Sequence, residues 1–254
     1  MNAAALLVGH GSPDPAAQAD LGELPALVGQ RLGFPVNLGV LEFPALGLPY
    51  LDEAFAALRD RPCVAAQPLI LFDGLHGQHD IPSAAARATA RLAVEVRLGC
   101  AFGREPRLIQ LAAARLRDYG VREGDVLLFV GRGSSEALAR RQTEEVADAV
   151  AAEVGIGHVV CYTGISRPSL EEGMEAALGR RPRRVRALPY LLHTGILVLR
   201  VLEVLSPIAL RQGAELFVLP HIGNAPALVD VVASRLEQLL GTPQEISDLS
   251  GTPL

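Results

Sequence analysis

Three residues able to take protons or hold a metal stand where strands should end: His10 in Val8-Gly9-His10-Gly11-Ser12, Glu42 after the run Val36 to Leu41, and His76 after Pro68-Leu69-Ile70-Leu71-Phe72. A neutral imidazole both accepts a proton near pH 7 and offers a lone pair to a cation. Two imidazoles and a carboxylate suit a borderline divalent ion such as Co²⁺, Fe²⁺, Ni²⁺ or Zn²⁺. The same trio could instead draw protons from a substrate, so both chemistries stay open here. Gly9 and Gly11 flank His10 and permit tight turning and close approach of a ligand to the backbone.

The chain supplies its own control, because it carries a second copy of these segments. Val130-Gly131-Arg132-Gly133-Ser134 repeats the first motif with arginine in place of histidine, and Pro189 to Leu197 aligns with Pro68 to His76, placing Leu197 opposite His76. Gly103-x-x-Pro106-x-Leu108 matches Gly223-x-x-Pro226-x-Leu228, and the three blocks are offset by 122, 121 and 120 residues. Such constant spacing indicates duplication. A histidine needed only for packing should have been as useful in both copies; His10 and His76 were replaced together, which marks them as functional.

Apolar runs alternate with helical patterns. Expected strands are Ala4 to Val8, Val36 to Leu41, Val64 to Leu71, Val94 to Ala101, Val126 to Val130, His158 to Ile165, Val185 to Leu192 and Glu215 to Leu219. Expected helices are Ala16 to Leu32, Leu51 to Arg59, Pro82 to Leu92, Pro106 to Asp118, Ser135 to Glu153, Ser169 to Leu178, Leu197 to Leu210 and Pro226 to Leu240. This alternation predicts an α/β protein with a parallel sheet in each half and helices on both faces. The halves divide in the polar stretch Tyr119 to Asp125, giving domains 1–121 and 122–241 and a polar tail at 242–254. In open parallel sheets ligands collect at the carboxyl ends of strands, so His10, Glu42 and His76 can reach one crevice.

The 254 residues are half apolar with a net charge of −5, enough for a sizeable core. The short run Arg180-Arg181-Pro182-Arg183-Arg184 makes no nucleic-acid surface, and no segment has membrane-spanning length without charge. Cys63, Cys100 and Cys161 are widely spaced, without C-x-x-C, and read as small buried hydrophobes in a cytoplasmic protein.

At these residues the chain resembles the type II tetrapyrrole chelatases, the CbiX-like sirohydrochlorin cobaltochelatases and ferrochelatases. The likeness rests on Leu6 to Ser12, the Pro68 to Phe72 strand leading to His76, Asp80-Ile81-Pro82, Gly131 to Ser135, Arg167-Pro168-Ser169-Leu170 and Leu188 to Leu192 with Thr194-Gly195-Ile196. The resemblance implies two tandem flavodoxin-like domains facing across a cleft that admits a macrocycle. It matches His10 and His76 to the metal-handling, proton-accepting histidines and Glu42 to their acidic partner, with Co²⁺ or Fe²⁺ as a substrate and no organic cofactor. Asp73-Gly74-Leu75 before His76 and the insertion-like Phe43 to Leu48 depart from the family pattern.

Metal insertion fits such residues. Two pyrrolic N–H protons must leave while the metal sheds water, so the site needs bases that are also weak ligands, in an open coordination sphere. Sirohydrochlorin carries carboxylates, and the backbone N–H groups near Ser12, Ser134 and Ser135 at helix N-termini are expected to receive some of them. Arg132 reads either as a carboxylate partner or as a member of an internal salt bridge, and Ser12 and Ser134 also read as N-caps. A noncatalytic tetrapyrrole- or metal-binding role is the rival reading, whereas a Ser-His hydrolase lacks its G-x-S-x-G elbow. Duplication suggests that one chain supplies both walls that a shorter ancestor obtained by dimerising, hence a monomer or weak homodimer.

Overall fold

The computed structural model describes residues 3–44 and 48–241 and, at His76, the backbone alone. The tail expected at 242–254 lies outside the described residues. In chain order the elements are β1 (Ala3–Gly9), α1 (Pro15–Leu32), β2 (Val36–Val40), α2 (Leu51–Ala57), β3 (Cys63–Pro68), a π-helical turn (His76–Asp80), α3 (Ile81–Leu92), β4 (Glu95–Leu98) and α4 (Pro106–Asp118). They continue as β5 (Asp125–Gly131), α5 (Ala137–Val154), β6 (Gly157–Tyr162), α6 (Leu170–Gly179), β7 (Arg184–Pro189), α7 (Ile196–Gln212), β8 (Leu216–Val218) and α8 (Pro226–Leu240).

The strands form two parallel four-stranded sheets, ordered β2-β1-β3-β4 and β6-β5-β7-β8. Every residue of the inner strands β1, β3 and β5 is buried, as continuous apolar runs covered on both faces should be. The outer strands β4 and β8 are short and partly open. Leu6, Val8 and Val64 pack against Phe55 of α2 and Ile81 and Ala84 of α3, while Leu128 and Val130 pack against Met174 of α6 and Val201 and Leu205 of α7. Among the described residues no helix is long and apolar enough to cross a membrane.

The compact units do not follow the boundary expected at Tyr119 to Asp125. One unit joins residues 1–102 with 224–254, and the other holds 103–223. The final helix of each copy therefore belongs to the unit built on the other copy's sheet. In the first unit, Arg235 of α8 donates to the carbonyls of Cys100 (3.1 Å), Ala101 (3.0 Å) and Phe102 (3.1 Å), just past β4. In the second unit, the matching Arg115 of α4 donates to the carbonyls of Pro220 (3.1 Å), His221 and Ile222 (2.8 Å), just past β8.

The polar stretch Tyr119 to Asp125 is itself pinned. Asp125 opens β5 fully buried, accepting from Arg186 Nε at 2.9 Å and Arg184 Nε at 3.1 Å. Arg186 further donates to the carbonyls of Tyr119 (2.9 Å) and Gly120 (2.8 Å), and its guanidinium lies 4.4 Å from the centre of the Phe217 ring. Burial alone would push the Asp125 carboxyl up, but hydrogen bonds from Arg186, the Arg122 N–H and Arg184 outweigh it and hold the group below the usual carboxylate range.

Candidate functional site

The connection from β1 runs to β2 on one side and the next strand, β3, pairs on the other, so the first sheet reverses direction about β1. The carboxyl end of β1 is thus the switch point where an open α/β sheet leaves a crevice. Val8 pairs with Pro68 and Gly9 with Val40, so all three strands end there in step. His10 follows β1 directly, half-buried, and Glu42 stands exposed two residues beyond β2.

Backbone bonds weld these two positions together. Leu41 N–H donates to Gly9 O at 3.1 Å and Glu42 N–H to His10 O at 2.9 Å. Gly11, at φ 85°, carries the chain past Glu42 so closely that a Cβ there would lie 1.8 Å from the Glu42 carbonyl oxygen. His10 Nδ1 lies 3.0 Å from Gly11 O. A carbonyl only accepts, so the neutral ring making this bond carries its proton on Nδ1 and its lone pair on Nε2.

His76 is not where a strand through Leu71 would have put it. β3 stops at Pro68, which has no N–H for the ladder, and His76 instead opens the π-helical turn that runs into α3. Wide turns of this kind occur often at functional sites. His79, in the same turn, is exposed. Among the described residues no three His, Cys, Asp or Glu side chains cluster closely enough to hold a metal by themselves.

The second unit repeats this scaffold with different chemistry. Arg132 follows β5 and is exposed, and Gly133 at φ 88° mirrors Gly11. Thr163 N–H donates to Gly131 O at 3.0 Å, the counterpart of Leu41 to Gly9, so the position of Glu42 is taken by Gly164. His10, Glu42 and His76 are therefore replaced as a set, by Arg132, Gly164 and Leu197. Val40 bridges Tyr50 in one unit and Tyr162 bridges Ser169 in the other, which makes the first connection longer, as the insertion-like Phe43 to Leu48 suggested.

The serines brace the loops and do not cap the helices. Ser12 Oγ accepts from Asp14 N–H at 3.1 Å, and Ser134 Oγ accepts from Glu136 N–H at 3.1 Å. The N-caps are Asp14, which accepts from Ala16 N–H at 2.8 Å, and Glu136. Gln18 and Arg140, matching positions unnoticed in the sequence although the repeat offset links them, donate to Ser12 O (2.6 Å) and Ser134 O (2.9 Å). Ser134 N–H donates to Ser166 Oγ at 2.8 Å, and Ser135 Oγ donates to Glu136 Oε1 at 3.2 Å. Cys63 and Cys161 are buried, and burial pushes the Cys161 thiol up to about 12; Cys100, expected inside, is exposed.

Comparisons with known proteins identify the family. The CbiX family model matches residues 4–119 and again 126–239. The sirohydrochlorin ferrochelatase of Priestia megaterium is 30% identical over 207 residues, covering 79% of this chain and 77% of that protein. The sirohydrochlorin ferrochelatase of Bacillus subtilis is 24% identical over 99% of this chain and 97% of its own. The fold is that of the sirohydrochlorin chelatase SirB from Bacillus subtilis subspecies spizizenii, solved in complex with cobalt, with a TM-score of 0.79, 22% identity and coverage of 96% of this chain and 97% of that one. With the family pattern matched in both halves and nearly the whole length aligned to such relatives, the chain belongs to the CbiX family.

Proposed function

We propose that this protein inserts a divalent metal, Co²⁺ or Fe²⁺, into sirohydrochlorin, with His10 and His76 accepting protons and handling the metal and Glu42 as their acidic partner. The observation that carries the reading is the joint replacement of these three residues on an otherwise repeated scaffold. A load-sharing fold element would have persisted in both copies; a reaction centre is needed once.

The reaction exchanges two pyrrolic N–H protons for one M²⁺, so two protons must be taken up as four ring nitrogens replace water on the metal. His10 Nε2, carrying the lone pair, is the atom assigned to that task beside β1. Arg132 would repel a cation and Leu197 offers it no lone pair, so no ion is expected at those two positions. The exposed Arg132 guanidinium is assigned to a substrate carboxylate. Ser12 and Ser134 spend an oxygen lone pair on backbone N–H groups and keep an O–H to donate to another; Ser135 can join only by leaving Glu136.

The test is anaerobic incubation of the purified protein with sirohydrochlorin and Co²⁺ or Fe²⁺, followed by absorption and by acid extraction of the macrocycle. Recovery of metallated sirohydrochlorin faster than without protein is expected. Recovery of the unmetallated ring would leave only a binding protein. A soaked divalent ion located by anomalous scattering should lie beside His10 and His76; its appearance at His193 or Cys161 would overturn the site.

A further inference from the structure

In the first unit the loop that follows β1 is tied at two carbonyls. His10 O accepts from Glu42 N–H at 2.9 Å, and two residues on, Ser12 O accepts from the side-chain amide of Gln18 at 2.6 Å. Between them lies Gly11, at φ 85°, whose own carbonyl is the partner of His10 Nδ1 at 3.0 Å. Ser12 is fixed further through its hydroxyl, which accepts from Asp14 N–H at 3.1 Å. Gln18 reaches the loop from the start of α1, which Asp14 caps and Pro15 opens, and its side chain is buried, 4% exposed.

Glycine has the freest backbone of any residue, so a peptide beside Gly11 can turn over unless its neighbours are held. Held at His10 O and at Ser12 O, it keeps Gly11 O aimed at the imidazole. The bond made by one ring nitrogen decides which nitrogen is left with the lone pair. Were Ser12 O released, Gly11 O could leave Nδ1, and the ring could then carry its proton on Nε2. The second unit has a donor at the matching place, Arg140, which gives to Ser134 O at 2.9 Å and Ser135 O at 2.6 Å. The scaffold thus accepts either side chain. The loop of Arg132 holds no imidazole to orient, whereas in the first unit the same tie acts on His10.

We infer that Gln18 is a positioning residue for metal insertion: by holding Ser12 O it keeps Gly11 O on His10 Nδ1 and the His10 lone pair on Nε2. The inference rests on the chelatase reading above, since the place of that lone pair matters only where a proton or a metal is to be received. Gln18 is buried and acts through the loop, not on the macrocycle. Its loss should therefore lower kcat and leave KM for sirohydrochlorin unchanged. The partners that orient an imidazole from behind are typically worth about 10–100-fold in activity.

The experiment compares the unaltered chain with Gln18→Met, an unbranched side chain of similar length that has no donor, and with Gln18→Arg. At about pH 8, where imidazole is neutral, long-range proton–nitrogen NMR correlations of the histidine rings, assigned with His10→Ala, read the tautomer. They should show the His10 proton on Nδ1 in the unaltered chain, on Nε2 in a large part of Gln18→Met, and on Nδ1 again in Gln18→Arg, which donates as Arg140 does. With sirohydrochlorin and Co²⁺, Gln18→Met should lose about tenfold or more in kcat at unchanged KM while still melting cooperatively. Should Gln18→Met not fold, Gln18→Glu, which matches the shape and does not donate, is read in the same ways. A His10 proton on Nε2 in the unaltered chain, or a donor-free variant that keeps either the tautomer or kcat, overturns the inference and leaves the chelatase reading standing. Persistence of the Nε2 form in Gln18→Arg overturns it as well. If the unaltered chain does not metallate sirohydrochlorin, the chelatase reading fails, and the tautomers still decide whether Gln18 sets the ring.

Discussion

His10 and Arg132 occupy one loop geometry with opposite consequences for a cation, which makes the second copy a natural mutant of the first. His10→Ala should therefore lower metal insertion about 100-fold or more while the unfolding midpoint stays put, measured by initial rates and thermal melting. His79→Ala should change the rate little, because His79 lies exposed further along the turn that His76 opens. A loss at His79 equal to that at His76 would transfer the assigned role. A second residue-scale expectation concerns Asp125. Its replacement in Asp125→Asn leaves Arg186 buried with its charge uncompensated, at a cost of about 3–5 kcal/mol near pH 7. A carboxyl whose pKa is lowered on folding stabilises above its unfolded value and loses that contribution as pH falls through the folded one. The gap between the unaltered chain and Asp125→Asn should thus narrow progressively below about pH 4, as read from urea unfolding at a series of pH values.

At the scale of elements, the two glycine turns differ in what they must clear. Gly11→Ala would drive a methyl into the Glu42 backbone, whereas at Gly133 the nearest atom, Ser166 Oγ, is 3.1 Å from where the methyl would sit. Both pay for a left-handed φ, but Gly11→Ala should be the costlier, by about 2 kcal/mol or more, in denaturant titrations, and it alone should slow metal insertion by displacing Glu42 from His10. The element order and the helices opening on proline were legible in the sequence; α4 and α8 begin and end where Pro106 to Asp118 and Pro226 to Leu240 were expected. The end of β3 was not, because Leu69 to Phe72 continues an apolar run although the ladder to β1 gives out after the bond from Leu69 N–H to Val8 O. The π-helical turn at His76 was hidden too, since Gly77, Gln78 and His79 carry no helical periodicity. Glu42 and His10 could be assigned to one edge from spacing, but the backbone bond that joins them depends on register, which side-chain patterns do not encode.

For the whole molecule, the sequence repeat and the compact units divide differently. An amphipathic helix announces that it will bury one face without naming the sheet that receives it, and α4 and α8 carry nearly the same pattern. The partners were invisible until Arg115 and Arg235 were seen holding carbonyls more than a hundred residues away. A fragment of residues 1–121 should accordingly fail to fold, leaving the faces meant for Leu228, Val231 and Leu236 of α8 uncovered. A fragment of residues 103–223 contains every element of its unit and should melt cooperatively by circular dichroism. Cooperative melting of 1–121 would refute the exchange.

That exchange also bears on how the polypeptide emerges from the ribosome. The segment 103–223 is contiguous and can be completed while synthesis continues, but the unit bearing His10 waits for α8, which follows the whole of the other unit. At about 5–20 residues per second, β3 waits on the order of 10 s for the α8 helix that packs against it. The first sheet is thus a client for chaperones until α8 arrives, and the loop that bears His10 reaches its final packing only after the whole of the other unit has been made.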